Sequence, residues 1–379
     1  MRAGCSTFTD PGCETSVADE RRKNAELADR IVDARGRQVA AVDLRKLESE
    51  PEDAHRIISS AGIVDRVTDR KKLGVHGAKL PWATAEHLIR FAPGQVTVWA
   101  GDQSSGKSTL LSYCTLSWIE QGQLCLVTTL EEPLSEYGLR ICRQGIGEQW
   151  PGDAEIEQLL EAACDRLYLW DVEGRINPKR VVAMVRYAAT KLGVQHFILD
   201  NWTKVVPPSN DSANLQWEIF ASLYQIARDT GMHVHVVMHL NKEGRIDEIP
   251  SARHIRGTST IADQADQICL VWRNEKKERA GAGEERVSDE DRAQLLAQPD
   301  VVLVTAKTKF QGHRARLGLW FDRQAKQYSH GYGNFPFRSS LLNVSALPAQ
   351  LPGLDDPSRS PAAPADAPAD ASGEGQASA

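Results

Sequence analysis

A glycine-rich segment, GDQSSGKS, constrains the fold of this chain more than any other feature of its sequence. It spans Gly101–Ser108, follows an apolar run and matches the pattern G-x-x-x-x-G-K-[ST] in full. In such a pattern the glycines let backbone N–H groups turn toward phosphates, and the helix that follows adds a partial positive charge. The segment therefore predicts a strand, a phosphate-binding loop and a helix, in that order.

The loop residues predict the chemistry of a nucleotide site. Lys107 is expected to reach the β- and γ-phosphates, and the Ser108 hydroxyl is expected to bind Mg²⁺. We expect ATP, or another NTP or dNTP, to be bound with Mg²⁺. The residues expected around the phosphates are Gly101, Asp102, Gln103, Ser104, Ser105, Gly106, Lys107, Ser108 and Thr109. The alternative interpretation is a solvated polar turn.

Apolar strands alternate with amphipathic helices through the middle of the chain. Strands are predicted over residues 95–100, 124–130, 166–172, 197–200 and 232–238, and helices over 106–121, 178–192 and 213–230. This alternation indicates an α/β fold with a mainly parallel sheet and helices on both faces. Later strands at 267–272, 301–306 and 317–321 have shorter connections, which favours an antiparallel extension.

Composition suggests three regions. Residues 1–75 are charged and poor in aromatic side chains, so we expect a helical linker segment with little core of its own. Residues 76–340 form the expected ATPase domain, and residues 341–379 a disordered acidic tail rich in proline and alanine. The linker could dock on a neighbouring protomer or act as a loose tether. The tail could contact replication partners or only increase solubility.

The remaining composition is that of a soluble globular protein. The chain has 379 residues, is 41% hydrophobic and 25% charged, and carries a formal net charge of −6. That charge disfavours a protein coated in nucleic acid, although it permits a local basic channel. We find no apolar run long enough for a membrane span and no signal core, and so expect no membrane association and a cytoplasmic location, in a bacterial or phage-infected cell.

Polar residues at the ends of three predicted strands belong to the same expected site. Asp200 ends the strand FILD, where a second Mg²⁺-coordinating carboxylate is expected. Glu131 and Glu132 follow the strand LCLVTTL; one could orient the attacking water and the other act as a helix N-terminal charge. His239 is placed to contact the γ-phosphate, whereas His233 and His235 are predicted to be packing residues.

At this point the chain resembles the DnaB-type replicative helicases, and most of all the helicase half of phage primase-helicases and the mitochondrial helicase Twinkle. The resemblance covers about residues 80–330. Its landmarks, in family order, are GDQSSGKS, TLEEP, FILDN, VVMHLNK, IRGTSTIADQADQICLVWRN and KTKFQG. The phosphate loop alone is shared by many NTPases, so the later elements make the resemblance specific.

The resemblance implies a RecA-like core, a homohexameric ring with ATP between subunits, and single-stranded DNA in the centre, with movement from 5′ to 3′. It gives Glu131 the place of the catalytic glutamate, Asp200 that of the Mg²⁺ aspartate and His239 that of the polar sensor. Arg273 becomes a candidate for contact with the base, as does a residue near Phe321. DNA contacts are expected from Asn241, Lys242, Arg245, Arg253 and Arg256, in a stretch that by itself would be an ordinary solvated loop.

One departure from the family concerns the catalytic residue contributed by the neighbouring subunit. The family has lysine, any residue and arginine; here the run is Lys307-Thr308-Lys309, so a lysine stands in the arginine's place. Lysine keeps the charge but loses the planar fork. We hypothesise that Lys309 acts as a lysine finger, with Lys307 beside it. The alternatives are substitution by Arg314 or Arg316, or weak activation between subunits.

The first 75 residues have neither the length nor the cysteines for a zinc ribbon and a primase fold, so we expect a helicase motor alone, with a separate primase and polymerase. Two other functions share the core. One is a RecA/RadA-like recombinase or a recombination mediator, and the other is a RepA- or KaiC-like regulatory ATPase. The late lysine-rich element and the short loop at 241–257 favour the helicase.

Overall fold

The computed structural model describes residues 57–73, 76–85, 87–172, 174–206, 213–241, 248–255, 259–309, 314–331 and 337–343. The chain divides into two compact units, Met1–Gly74 and Val75–Ala379. In the first unit a short 3₁₀ turn, Ser60–Ile63, leads into helix α1, Val64–Leu73. All other elements lie in the second unit.

The second unit is built on a nine-stranded sheet. Its strands are β3 Val96–Gly101, β4 Cys125–Thr129, β5 Leu167–Leu169, β6 His196–Asp200, β7 His233–His239, β8 Gln267–Arg273, β9 Val301–Thr308, β10 Arg316–Asp322 and β11 Gln327–Ser329. A separate antiparallel pair, β1 Ala78–Lys79 and β2 Arg90–Phe91, precedes them. The strand order of the large sheet is β11-β10-β9-β8-β3-β7-β6-β4-β5.

The sheet has two parts of different character. The six strands from β5 to β8 in the spatial order are parallel, and β9, β10 and β11 continue the sheet in antiparallel fashion. Because parallel strands end at the same edge, the carboxyl ends of β3, β4, β6 and β7 all meet at one edge of the sheet. Both the parallel core and the antiparallel extension predicted from the sequence are confirmed.

Helices fill the connections. They are α2 Lys107–Glu120, α3 Leu134–Ile146, α4 Asp153–Ala163, α5 Pro178–Lys191, α6 Trp202–Val205, α7 Ala213–Thr230, α8 Ser259–Gln264, α9 Glu275–Gly281 and α10 Asp289–Ala297. Asn177 caps α5 by accepting a hydrogen bond from the Lys179 N–H, with proline at the first helical position. Among the described residues, none of the helices has the length and apolar character that a membrane crossing requires.

Alternate residues of the central strands enter different cores. Val96, Val98 and Ala100 of β3 pack in the cluster beneath α5 and α7, whereas Trp99 packs with α2, α3 and α4 on the other face. This is the period of two that a strand buried on both faces must show. The packed chain extends to Asn343, because Leu341 and Leu342 are buried; the tail from residue 344 lies outside the described residues.

Three histidines are stacked inside the sheet, below the site edge. His196, His233 and His235 are buried, and the His233 and His235 rings lie 4.4 Å apart, with Trp118 at 4.4 Å from His235. The Trp99 indole N–H donates to His235 Nδ1 at 3.1 Å, so the ring must carry its single proton on Nε2. That nitrogen faces His196 Nδ1 at 3.1 Å. The prediction that His233 and His235 are packing residues is confirmed.

This histidine cluster should make the fold sensitive to acid. Burial lowers the pKa of His233 to about 4 and lowers the pKa of His196 and His235 well below their ordinary 6.5. The unfolded chain therefore binds these protons first, so stability is present above pH 6.5 and is lost as the pH falls. At pH 5.5 we expect a loss of about 4 kcal/mol from the three histidines together.

Denaturant unfolding at pH 7.5 and pH 5.5 measures this loss. A His196→Phe variant keeps an aromatic ring against Trp118 but removes one proton site, so its stability should change less between the two pH values. Equal stability of the wild-type protein at both pH values would contradict neutral burial of the cluster.

Candidate nucleotide site

The phosphate loop joins β3 to α2 at the common carboxyl edge. Two of its residues have a left-handed backbone, Ser104 with φ 63° and Gly106 with φ 88°. A Cβ atom at Gly106 would lie only 2.7 Å from the Tyr328 hydroxyl, so glycine is required there for space as well as for conformation. Gly106 caps α2 without a side-chain hydrogen bond, which leaves the first N–H groups of the helix available for phosphate oxygens.

Lys107 lies buried at the start of α2. Its ammonium group donates to the carbonyl oxygens of Gly101 at 2.9 Å and Asp102 at 2.6 Å. Burial lowers its pKa from 10.5 to about 8, while Asp200, Asp102 and Glu131 act in the opposite direction. A buried cation held by loop carbonyls beside an uncapped helix end fits a polyphosphate.

Asp200 and Ser108 form the carboxylate–hydroxyl pair expected for Mg²⁺. Asp200 is buried at the end of β6, and the Ser108 hydroxyl hydrogen-bonds to its carboxyl group. Burial raises the pKa of Asp200, and the bond from Ser108 and the charge of Arg140 oppose that rise. The oxygen-only donor set suits Mg²⁺, which retains waters and phosphate oxygens as its other ligands. The described residues contain no cluster of three or more His, Cys, Asp or Glu side chains arranged for a metal.

The two glutamates after β4 have different surroundings. The Glu132 carboxylate is forked by the Arg140 guanidinium, with one bond of 2.6 Å from Arg140 Nη1 to Oε2 and a second from Nη2 to Oε1. The Glu131 side chain is 44% exposed and lies near His239. The His239 ring and, next to it, the Asn201 amide lower the pKa of Glu131 below its usual value. Only Glu131 is thus free to accept a proton.

His239 lies at the tip of β7, beside β3. Its Nε2 is 2.8 Å from the Asn201 amide nitrogen and 3.9 Å from Glu131 Oε1, an ionic distance rather than a hydrogen bond. Asn201 is itself oriented by the Thr203 hydroxyl, which donates to its Oδ1 at 2.6 Å. His239 Nδ1 is buried without a protein partner. The predicted sensor position therefore carries an unsatisfied imidazole nitrogen next to Glu131.

Two clefts flank the phosphate loop. The arginine-rich cleft, of about 400 Å³, is lined by Ser104, Ser105, Gly106, Thr109, Glu136, Leu139, Arg140, Arg143, Arg273, Glu278, Asp300, Val301, Phe321, Arg323, Lys326 and Tyr328. The histidine cleft, of about 390 Å³, is lined by Asp102, Gln103, Glu131, Arg175, Thr203, Lys204, His239 and Leu240. Glu131 and His239 thus face one cleft, and the residues proposed to contact a base face the other.

Arg273 joins the loop to the wall of the arginine-rich cleft. Its Nη1 donates to the Ser104 carbonyl at 3.0 Å, and its Nη2 lies 2.5 Å from a carboxylate oxygen of Glu278. Arg323 holds the other oxygen of Glu278 at 3.0 Å. Sequence reasoning identified Arg273 and the neighbourhood of Phe321 but missed Arg140, Glu278 and the other charged residues, which come from separate elements and follow no motif.

Lys307 and Lys309 lie away from the loop of their own chain. Thr308 pairs with Gln267, at the start of β8, and Gln267 pairs with Thr97, near the start of β3. These lysines therefore stand at the amino edge of the sheet, opposite the phosphate loop. Lys307 Nζ donates to the Ala262 and Asp263 carbonyls at 2.8 and 2.6 Å.

Lys309 also has partners within the chain. Its Nζ donates to the Gln264 carbonyl at 2.8 Å and lies 3.3 Å from the buried carboxylate of Asp266. The alternatives Arg314 and Arg316 are exposed, and Arg316 begins β10. The structure does not bring any of these cations to the loop of the same chain.

The predicted DNA-binding residues are described only in part. The Asn241 N–H donates to the His254 carbonyl at 2.7 Å, and Leu240 forms an antiparallel bridge with Ile255. The base of the loop is thereby closed, and exposed Arg253 stands close to the end of β7. Lys242, Arg245 and Arg256 lie outside the described residues.

Residues 75–245 match the family model described as AAA domain. Over 213 residues the chain is 24% identical to the DNA repair protein RadA of Brucella abortus (strain 2308), covering 55% of this chain and 38% of that protein. Over 208 residues it is 24% identical to the DNA helicase/primase of Enterobacteria phage T3, covering 48% and 36%. The matches thus span little more than a third of either relative.

Two solved structures have a similar fold. An ATPase domain of the DnaB-like helicase type aligns with a TM-score of 0.56 at 15% identity, covering 71% of this chain and 98% of that one. A DnaB-like replicative helicase, solved in a study of its interactions with primase, aligns with a TM-score of 0.57 at 16% identity, covering 83% and 77%. The expected resemblance and the RecA-like fold are confirmed. The chain carries an AAA domain over residues 75–245, in a nucleoside-triphosphatase core with the fold of the DnaB-type helicase ATPase domains.

Proposed function

We propose that this protein is an ATP-dependent replicative DNA helicase, a homohexameric ring that moves along single-stranded DNA, 5′ to 3′, and unwinds duplex ahead of it. The observation that carries the proposal is the split of the catalytic residues between opposite edges of the sheet. Loop, glutamate, aspartate and histidine lie at the carboxyl edge, and the Lys307–Lys309 run lies at the amino edge. A head-to-tail ring would bring the amino edge of one subunit to the phosphate loop of the next.

The proposed reaction is attack of water on the γ-phosphate. Glu131 orients the water and accepts its proton, Lys107 holds the β- and γ-phosphates, and His239 contacts the γ-phosphate oxygen that changes partners on hydrolysis. Mg²⁺, held from the Ser108 and Asp200 side, would neutralise charge that develops on the phosphates. Arg273 borders the cleft that the base would occupy.

The loop at 241–257 is proposed to contact DNA in the ring. Its stem is attached to the end of β7, directly after His239, so a shift of the histidine on phosphate release has a short path to Arg253. Contacts of this type to phosphates would be independent of sequence and sensitive to salt. A separate primase and polymerase would act with the motor, in the cytoplasm.

Lys309 is proposed as the cation that the neighbour's γ-phosphate receives. We predict that Lys309→Ala lowers the rate of ATP hydrolysis in assembled rings by at least about tenfold, whereas Lys309→Arg, which restores the family's residue, preserves it. Because Lys309 contacts Asp266, assembly of the variant is verified first by light scattering. Wild-type hydrolysis by assembled Lys309→Ala rings would sink the lysine finger and direct attention to Arg314 and Arg316.

Mixed rings separate an effect between subunits from one within a subunit. Lys309→Ala subunits keep their own loop and glutamate, and Glu131→Gln subunits keep their own lysine. When they are mixed in equal amounts, about a quarter of the interfaces combine an intact loop with an intact lysine, so activity should reappear. No recovery in rings shown to be mixed would place Lys309 in its own subunit's chemistry.

The second candidate is a recombinase, favoured by the match to the RadA protein. Particle shape with a nucleotide analogue and single-stranded DNA separates the two, because closed six-membered rings support the helicase and open filaments support the recombinase. A regulatory ATPase of the RepA or KaiC type is identified by hydrolysis that single-stranded DNA does not stimulate.

A further inference from the structure

Arg140 occupies a central position that the proposed reaction does not use. It lies on α3, with its side chain only 13% exposed, and all three nitrogen atoms of its guanidinium are engaged. Nη1 and Nη2 fork the Glu132 carboxylate, and Nε donates to the Ser112 hydroxyl at 3.1 Å. A planar fork of this kind fixes both the position and the orientation of a carboxylate, which a lysine cannot do.

The turn that presents Glu131 is held on both sides of it. Before Glu131, the Leu130 N–H donates to the Asp200 carbonyl at 2.6 Å. After it, the Thr129 hydroxyl donates to the Glu132 carbonyl at 2.8 Å, and Arg140 holds the Glu132 side chain. Glu131 itself is half exposed and faces the histidine cleft. Release of Glu132 would therefore leave the turn fixed only on the Asp200 side.

The same guanidinium is tied to the helix that holds the phosphates. Ser112 lies one turn along α2 from Ser108, and its hydroxyl is within hydrogen-bond distance of the Thr109 carbonyl and of Gln144 Oε1. Gln144 Nε2 donates in turn to the Thr109 carbonyl at 2.8 Å. Arg140 therefore connects the Glu131 turn to the part of α2 that follows Lys107 and Ser108.

From this geometry we infer that Arg140 is a positioning residue for hydrolysis, which acts through Glu132 to set the distance between the Glu131 carboxylate and the γ-phosphate held by α2. The inference rests on the proposed role of Glu131. Misplacement of a catalytic group by about 1 Å is expected to cost about a hundredfold in rate. The nucleotide contacts themselves belong to other residues, so affinity should change little.

Arg140→Gln tests the inference in the full-length protein. We expect kcat for ATP hydrolysis to fall about 10- to 100-fold, while the Kd for a nucleotide analogue changes by less than about threefold. Arg140→Lys should give a similar loss, because it keeps charge but not the fork. A matched control is Arg338→Gln, which removes a surface pair in which Arg338 lies 2.6 Å from Glu155; it should hydrolyse ATP at the wild-type rate.

Two further variants guard against a folding defect. Glu132→Gln removes the partner instead of the arginine and should reproduce the loss of kcat, and the double variant with Arg140→Gln should be no slower than either single one. In a Glu131→Gln background, Arg140→Gln should lower kcat no further. A wild-type kcat in Glu132→Gln, or losses that add fully in the double variant, would overturn the inference.

The outcome also distinguishes this inference from the proposed function. If Glu131→Gln loses kcat and Arg140→Gln does not, Arg140 is not a positioning residue and the role of Glu131 stands. If Glu131→Gln keeps the wild-type kcat, the role of Glu131 fails and the inference about Arg140 fails with it.

Discussion

Replacement of Glu131 by glutamine is expected to lower kcat for nucleotide hydrolysis by about 10²–10³-fold, with nucleotide affinity kept within a few-fold. The amide preserves size and can still orient a water molecule, but it cannot accept the proton. Glu131 is the glutamate with a free carboxylate, whereas Glu132 is forked by Arg140. Loss of rate without loss of binding is therefore the expected signature.

The pH profile provides a second measure of the same role. The neighbouring His239 ring and Asn201 amide hold the pKa of Glu131 below its ordinary 4.5, so the carboxylate stays ionised as the pH falls toward that value. Loss of this base should therefore not reduce hydrolysis above pH 4.5. Steady-state rates and nucleotide titrations measure both effects, with Glu161→Gln on the surface of α4 as control. A Glu131→Gln variant that retains more than about a tenth of wild-type kcat would remove Glu131 from the proposed reaction.

Replacement of Lys107 by alanine is expected to weaken nucleotide binding by about a hundredfold, since hydrogen bonds to charged groups contribute about 1.5–3 kcal/mol each. In the wild-type protein the lysine's pKa of about 8 adds a pH dependence. The ammonium form is the one that binds phosphate, so affinity should weaken as the pH rises above 8, until bound phosphate itself holds the proton.

Calorimetric titration at pH 7 and pH 9 measures both effects of Lys107. Thermal melting of the variant checks folding, and Lys191→Ala at the exposed end of α5 is a control for general charge loss. Wild-type affinity in Lys107→Ala would contradict the assignment of the loop.

Local sequence predicted much of the site because its chemistry follows strand ends. The phosphate loop, Asp200 and His239 each end a parallel strand, and parallel strands deliver their ends to one edge. The sequence left Glu131 and Glu132 undecided, since the choice depends on Arg140, which lies on a helix we did not predict. That helix contains Gly138 and Gly145, which weaken a helical pattern. A Cβ at Gly145 would lie 2.7 Å from Leu159, so the glycine is required by packing against α4.

Other features depend on tertiary contacts that no motif records. The lysine in the place of the family's arginine is bound to Asp266 and to the end of α8, a contact between residues far from any phosphate. The arginine-rich cleft takes side chains from α3, β8, α9 and the turn between β10 and β11, so its lining follows from the antiparallel extension. The buried histidine cluster was predicted only as core, because its neutral stacking depends on Trp99 and Trp118.

Unwinding of a forked DNA duplex in the presence of ATP and Mg²⁺ tests the central claim most directly. Strand separation is followed by fluorescence on forks with a 5′ tail, a 3′ tail or both, and Glu131→Gln serves as the hydrolysis-deficient control. The account predicts unwinding that needs the 5′ tail, requires hydrolysis and is absent in the Glu131→Gln protein. Assembled wild-type rings that hydrolyse ATP without stimulation by single-stranded DNA and separate none of these forks would contradict it.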